Sequence, residues 1–156
     1  MRNVGTTAAG ATIRSGVQSK GNSSPLGATV VNGGVNFSLY SREATGVELL
    51  FFDQPDDSKP ARVIVLDPVS NRTYHYWHVF VADARPGQIY GYRARGPYDP
   101  GQGMRFDHNK VLLDPYGRGV VTPKHYSRIV ASEEGDNAAT AMKSVVVDPS
   151  AYDWEG

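Results

Sequence analysis

Carboxylates come first among the residues that could do chemistry, because glycoside hydrolases use them in pairs. Cleavage of a glycosidic bond needs two carboxyl groups held about 5 to 10 Å apart in one cleft. Asp99, Asp107 and Asp114 are the best candidates, and each stands beside proline or histidine. Aspartate in such a position is typical of a turn, where its side chain bonds to nearby backbone N–H groups. Turn formation is therefore the preferred interpretation of all three.

Histidine is the other residue type that could form a metal or acid–base site, and the chain has four. Only His75 and His78 are spaced closely enough to consider as a pair of metal ligands. On a β-strand, positions i and i+3 point to opposite faces, so this pair cannot chelate one ion. The chain has no cysteine and no glycine-rich loop followed by a helix, which excludes thiolate sites and a helix-capped phosphate cradle. We expect no metal and no cofactor.

Aromatic side chains between residues 74 and 92 are the most informative feature: Tyr74, Tyr76, Trp77, Phe80, Tyr90 and Tyr92. Rings on an exposed sheet face stack on the apolar C–H faces of sugars, whereas the same rings inside a sandwich fill its core. Trp77 shares a strand face with Val79 and Val81, which favours the core. Tyr74, Tyr76 and His78 alternate with that face and are the freer set.

The elements that must position these residues read as strands joined by turns. Residues 28–31 and 35–40 flank an Asn-Gly-Gly turn, the pattern of a β-hairpin. Residues 46–53 are apolar on both alternating faces, which predicts a strand covered on both sides. Further runs at 61–66, 73–82 and 88–94 give about ten-residue spacing, typical of an antiparallel sandwich of immunoglobulin type. Residues 145–147 are read as a lone short strand.

Composition narrows the class of protein. The 156 residues suffice for one domain and are too few for a complete (β/α)8 barrel. Glycine (17) and proline (10) are abundant, which disfavours long helices. Sixteen basic residues balance 16 acidic ones, so the field that nucleic-acid binders need is missing. We therefore expect no nucleic-acid partner and, without a long apolar run, no membrane partner.

Eight motifs follow one another in an order that resembles a known family. They are Pro-Leu-Gly-Ala at 25–28, Gly-Val-Asn-Phe-Ser-Leu-Tyr-Ser at 34–41, Trp-His-Val at 77–79, Pro-Gly-Gln-Ile-Tyr-Gly-Tyr-Arg at 86–93, Gly-Pro-Tyr at 96–98, Gly-Met-Arg-Phe at 103–106, Leu-Leu-Asp-Pro-Tyr at 112–116 and Asp-Trp at 153–154. The set resembles the N-terminal domain of bacterial glycogen debranching enzymes and isoamylases, of the α-amylase superfamily. The resemblance runs from residue 24 to the last residue.

The resemblance implies the fold and the division of the chain. The expected fold class is all-β: an immunoglobulin-like (early-set) antiparallel β-sandwich with an irregular C-terminal extension, grouped with glycogen- and starch-associated carbohydrate-binding modules. We expect a disordered tail at 1–22, the sandwich at 23–114 and an extended linker at 115–156. The linker would lead to an α-amylase-type barrel that hydrolyses α-1,6 branch links. In that family the catalytic carboxylates lie on the barrel, so this chain would hold no catalytic residue and would be inactive alone.

The leading hypothesis is a non-catalytic module that packs against and shapes the catalytic barrel of its own polypeptide in the cytoplasm. One alternative is an autonomous weak module for α-glucan, such as glycogen. A second alternative is a generic immunoglobulin-like protein-interaction domain.

Two sets of site residues follow from the resemblance. The glucan-binding or barrel-docking candidates are Tyr74, Tyr76, Trp77, His78 and Phe80. The inter-domain loop candidates are Arg93, Arg95, Tyr98, Arg105, Phe106, Asp114 and Tyr116. If the first set docks the barrel, a fragment without the barrel would expose an apolar patch and self-associate.

Overall fold

The structure, a computed structural model, describes residues 18–151 as twelve short strands with no α-helix in that range. The strands are β1 (Gln18–Ser19), β2 (Gly27–Val31), β3 (Gly34–Tyr40), β4 (Gly46–Phe52), β5 (Arg62–Leu66), β6 (Arg72–Thr73), β7 (Tyr76–Val81), β8 (Ile89–Arg95), β9 (Tyr98–Asp99), β10 (Met104–Arg105), β11 (Gly119–Val121) and β12 (Lys143–Val145). Three single 3₁₀ turns, at Pro100–Gln102, Val130–Ser132 and Pro149–Ala151, complete the described elements. Within this range no helix has the length and apolar character to cross a bilayer.

Strands β1, β7, β3 and β2 form the first sheet in that order, and β6 pairs with the first two residues of β7. The predicted hairpin is confirmed: β2 and β3 pair antiparallel, with Val31 opposite Gly34. Gly33 sits between them at φ +92°, a conformation that glycine adopts without steric cost. Alternate residues of β3 therefore face the core, among them Val35 and Phe37.

Strands β11, β12, β8, β4 and β5 form the second sheet, and every pairing in both sheets is antiparallel. β4 is covered on both sides, as its sequence predicts. Its Leu49 packs in the main core between the sheets, while Leu50 and Phe52 pack in a second core on the outer face, under Val111 and Ala138. The architecture is the expected all-β antiparallel sandwich of immunoglobulin-like type.

The chain joins the sheets beyond the predicted limits of the sandwich on both sides. β1 pairs with β7, so residues 18 and 19 extend the first sheet, although the tail was expected to reach residue 22. The extension after 114 supplies β11 and β12, and Ser144 pairs with Tyr90 at the edge of β8. The expected lone strand at 145–147 is thus shifted to Lys143–Val145 and paired on both sides. The remainder of the tail (1–17) and the end of the linker (152–156) lie outside the described residues.

Candidate functional site

Trp77 is completely buried and cannot contact a ligand in this fold. The Arg72 guanidinium lies 4.9 Å from the Trp77 ring centroid, and the indole Nε1 donates to the Ser41 carbonyl at 3.3 Å. Its strand neighbours Val79 and Val81 share the same core. Trp77 therefore fills the core, as its strand face favours, and its place among the binding candidates was wrong.

His78 is also buried, because residues 20–23 lie across the outer face of the first sheet. Its Nδ1 is 2.5 Å from the Lys20 carbonyl, and its Nε2 is 2.8 Å from the Thr73 hydroxyl. The same segment bonds to β3, where the Asn36 amide donates to the Asn22 carbonyl at 2.9 Å. The face expected to be open and apolar is therefore partly covered by polar backbone, and His78 is a structural residue on it. Phe80, further along the strand, is half-buried.

One end of this sheet nevertheless presents a group of rings that we call the aromatic corner: Tyr40 and Tyr74, which are exposed, and His75 and Tyr76, which are half-buried. Tyr74 is 75 % exposed, and its ring centroid lies 3.8 Å from that of His75. Tyr40 meets Tyr76 edge-on at 5.3 Å and His75 at 6.0 Å. The rings are set at angles to one another, so they form a bent surface rather than a flat platform.

Backbone geometry sets the position of the corner. Tyr74 has φ 59°, which is uncommon for a residue other than glycine, in the turn between β6 and β7. Tyr40 ends β3 directly opposite Tyr76. Sequence reasoning missed Tyr40, although its place at the solvent-facing end of the alternating β3 pattern was the available signal.

A second concave surface, here the hairpin cleft, lies between the β9–β10 hairpin and residues 130–137 and has a volume of about 520 Å³. It brings together three of the predicted inter-domain residues, Tyr98, Arg105 and Phe106. Tyr98 is 72 % exposed, and Arg105 is also exposed. The Phe106 ring packs directly on Gly96, where an added Cβ would lie 2.7 Å from the ring.

Lys110 holds one wall of the hairpin cleft. Its side chain is buried, and its Nζ donates to the carbonyl oxygens of Val130 (3.2 Å), Gly135 (2.6 Å) and Glu133. Its bonds to three carbonyls hold the backbone of residues 130–135, of which only Val130–Ser132 form a 3₁₀ turn. Sequence reasoning gave no role to this lysine, because its partners lie 20 or more residues away along the chain.

The other inter-domain candidates lie apart from the cleft. Arg93 pairs with Asp136 at 2.8 Å, and Arg95 is exposed at the end of β8. Tyr116 is 41 % exposed beside the β2 end. Asp114 is buried and accepts a hydrogen bond from the Tyr90 hydroxyl at 2.6 Å, so it is a core residue and not a loop contact.

Burial changes the pKa values of both members of the Tyr90–Asp114 pair. Desolvation raises the pKa of Asp114 above its ordinary 3.8, while the Tyr90 hydroxyl and the Tyr116 N–H act in the opposite direction. Desolvation, together with the neighbouring Asp114 charge, also raises the pKa of Tyr90 far above 10.0. The pair joins β8 to residue 114 in the core and offers no ionisable group to solvent.

Solved structures with the same fold come from carbohydrate-degrading enzymes. The pneumococcal multi-modular glycogen-degrading virulence factor SpuA, in a product complex, aligns with a TM-score of 0.57 at 22 % identity over 85 % of this chain and 13 % of that one. The pullulanase of Paenibacillus barengoltzii, complexed with maltotriose, aligns with a TM-score of 0.53 at 18 % identity over 80 % of this chain and 15 % of that one. At these identities the likeness concerns the fold alone.

Sequence relatives are closer. A glycogen debranching enzyme of Serratia proteamaculans is 43 % identical over 143 residues, which is 86 % of this chain and 20 % of the relative. One from Yersinia enterocolitica is 38 % identical over 141 residues, with 87 % of this chain and 20 % of the relative covered. The chain thus spans about a fifth of the length of the curated relatives it matches. Residues 25–117 match one family over most of the sandwich, and on that match the chain belongs to carbohydrate-binding module 48, the isoamylase N-terminal domain.

Proposed function

We propose that this chain is the non-catalytic N-terminal module of a glycogen-debranching hydrolase, and that it packs against and shapes the catalytic domain of the same polypeptide through the hairpin cleft. The single observation that carries the proposal is the cleft itself, a concave surface of about 520 Å³ that gathers Tyr98, Arg105 and Phe106. About four-fifths of the length of these relatives lies outside the part matched here. The remainder of such a polypeptide is the partner that we expect to occupy the hairpin cleft.

The chemistry of the cleft suits a contact between domains. Such interfaces are more polar than a domain core and combine aromatic anchors with charged groups at the rim. Tyr98 offers a large exposed ring, and Arg105 can form a paired hydrogen bond with a carboxylate of the partner. The wall at 130–135 is held in place by Lys110, so the surface is formed before the partner arrives.

The experiment replaces the corresponding segment of the Serratia proteamaculans enzyme with this chain and compares hydrogen exchange in the chimera and in the chain alone. We expect slower exchange at residues 98–106 and 130–137 in the chimera, and a lower debranching rate for Tyr98→Ser. Tyr126→Ser, an exposed tyrosine outside the cleft, is the matched control. Equal exchange in the two settings would contradict docking through this cleft.

The chain alone should release no reducing sugar from glycogen above a heat-killed control, since the family resemblance places the catalytic carboxylates on the following domain. A cytoplasmic location belongs to the same proposal, and it is supported by the lack of cysteine, which fits a reducing compartment.

A second candidate function is weak binding of α-glucan by the aromatic corner, which is favoured by the 75 % exposure of Tyr74 and by the contact between the Tyr40 and Tyr76 rings. One or two stacked rings contribute about 1 to 1.5 kcal/mol each beyond area burial, which supports a Kd of roughly 0.1 to 1 mM. A bent surface of rings fits a curved glucan chain better than it fits a flat glucan chain.

Titration with maltoheptaose, followed by NMR chemical shifts, tests this second function. Saturable shifts confined to residues 40 and 74–76, lost in Tyr74→Ser and Tyr76→Ser and kept in Tyr126→Ser, would support it. No shift at about 10 mM sugar, roughly a tenfold excess over the weaker estimate, would refute it. A concentration-dependent dimer weakened by Tyr76→Ser would instead identify the corner as a protein contact.

A further inference from the structure

A polar cleft of about 400 Å³ lies on the outer face of the first sheet, between residues 20–23 and the segment that leads from β5 into β6. Its lining combines two cationic side chains with three hydroxyl side chains: Lys20 and Arg72 with Ser23, Ser70 and Thr73. None of the nine residues that line it is acidic. The surface is distinct from the hairpin cleft, with which it shares no lining residue.

His78 sets the orientation of the hydroxyl beside it. Because its Nδ1 faces the Lys20 carbonyl at 2.5 Å, that nitrogen must carry the proton. In the neutral ring, Nε2 is then the acceptor, and the Thr73 hydroxyl donates to it at 2.8 Å. The single hydrogen of the Thr73 hydroxyl is therefore used by His78.

The Asp67 carboxylate, which precedes the cleft residues Val69 and Ser70, is bonded to its own turn. Asp67 Oδ1 accepts the backbone N–H groups of Val69 (2.7 Å) and Ser70 (3.0 Å). These bonds hold its charge toward the turn backbone, and they also hold the Ser70 side of the cleft in one conformation. Arg72 is similarly fixed, since its Nε donates to the Tyr74 carbonyl at 3.0 Å while its guanidinium covers Trp77.

We propose that this cleft binds the phosphate monoester of a sugar, with Lys20 and Arg72 as the cations and the Ser23 and Ser70 hydroxyls as donors. A phosphate dianion matches two cations and two O–H donors in a cleft whose lining contains no acidic side chain. The sugar that carries the phosphate would lie toward Tyr74, which directly follows Thr73. The same phosphate chemistry can come from a free sugar phosphate or from a phosphate borne on a glucan chain.

Glucose 6-phosphate is the first probe, with glucose and inorganic phosphate as comparisons, and the backbone shifts of Ser70, Thr73 and His78 as the readout. We expect saturable shifts at these residues with glucose 6-phosphate, weaker shifts with inorganic phosphate, and none with glucose. Lys20→Gln should weaken glucose 6-phosphate binding about three- to fivefold, the effect of one exposed ion pair. Lys59→Gln, an exposed lysine outside the cleft, removes the same charge and should leave the affinity unchanged.

A 6-phosphorylated maltoheptaose distinguishes a free sugar phosphate from a phosphate borne on a glucan chain. If the phosphate on a glucan chain is the ligand, this probe binds more tightly than glucose 6-phosphate, and Tyr74→Ser removes the gain. If a free sugar phosphate is the ligand, the two bind alike and Tyr74→Ser has no effect. Absence of shifts with glucose 6-phosphate at about 10 mM, or equal weakening by Lys20→Gln and Lys59→Gln, would overturn the site. Neither outcome depends on docking through the hairpin cleft.

Discussion

Replacing Lys110 with methionine is the most direct perturbation of the hairpin cleft, because one ammonium holds its wall. The change keeps most of the length and the apolar character of the Lys110 stem, which is buried. It removes the donor to the carbonyl oxygens of Val130, Glu133 and Gly135. Glu133 and Gly135 are exposed residues, so water can replace the lost donor if the segment moves outward.

The magnitude follows from the number of bonds and from that access to water. Each of the three hydrogen bonds is worth about 0.5 to 1.5 kcal/mol net, since water satisfies the released carbonyls. Local opening of residues 130–135 should therefore become about 3 kcal/mol more favourable, which corresponds to a roughly hundredfold larger open population. The two sheets, which do not depend on this ammonium, should keep most of their stability.

Amide hydrogen exchange measures the effect at individual positions. The Ser132 N–H donates to the Ile129 carbonyl at 2.9 Å and the Glu133 N–H to the Val130 carbonyl at 3.3 Å, so both amides report on opening of the segment. Their exchange should accelerate in Lys110→Met, while the amides of β3 and β7 change little and Lys59→Met leaves all of them unchanged. Unaltered exchange at Ser132 and Glu133 in a folded Lys110→Met protein would refute the assignment of this lysine.

Three further outcomes are expected. Lys143→Met removes a buried ammonium that donates to the Pro55 carbonyl at 2.7 Å and to the Ala138 and Ala141 carbonyls, and the carbonyls left without a donor should cost about 3 to 5 kcal/mol in urea unfolding. A loss no larger than that of Lys59→Met would contradict this. Tyr90→Phe leaves the buried Asp114 carboxylate without its 2.6 Å donor and should cost about 1.5 to 3 kcal/mol, so an unchanged Tm would argue against the bond. Burial raises the pKa of Asp114 above 3.8, so between the folded pKa and 3.8 the folded state holds more protons than the unfolded state. The stability of the parent relative to Asp114→Asn should therefore rise as the pH falls through the folded pKa toward 3.8. A difference that falls instead would show the opposite sign.

Local patterns were enough to predict much of the fold. The β2–β3 hairpin follows from an Asn-Gly-Gly turn between alternating runs, and the two-sided burial of β4 follows from its apolar residues at both parities. The core position of Trp77 follows from the valines on its strand face. In each case the evidence lies within one or two neighbouring strands, where periodicity reports burial directly.

Contacts between distant segments could not be predicted in this way. His78 bonds to the backbone carbonyl of Lys20, 58 residues earlier, and Asp114 bonds to the Tyr90 hydroxyl, 24 residues earlier. Nothing in the sequence next to either residue indicates that it is buried. β11 and β12 have three residues each, too few to show alternation, and they become strands only by pairing with one another and with β8. Lys110 was overlooked because a lysine is usually a surface residue, and only three converging carbonyls make its burial favourable.

The strands contributed after residue 117 have a practical consequence for anyone who moves this module between proteins. The family match ends at 117, but β12 still covers the open edge of β8, and Ala138 and Ala141 still cover Leu50 and Phe52. A version truncated at the family limit would expose a bare strand edge beside an apolar surface, the combination that seeds aggregation. Within the described residues, Val146 makes the last backbone hydrogen bonds between this extension and the sandwich, to Gly87 and Gln88, so a graft or fusion joint should be placed beyond that residue.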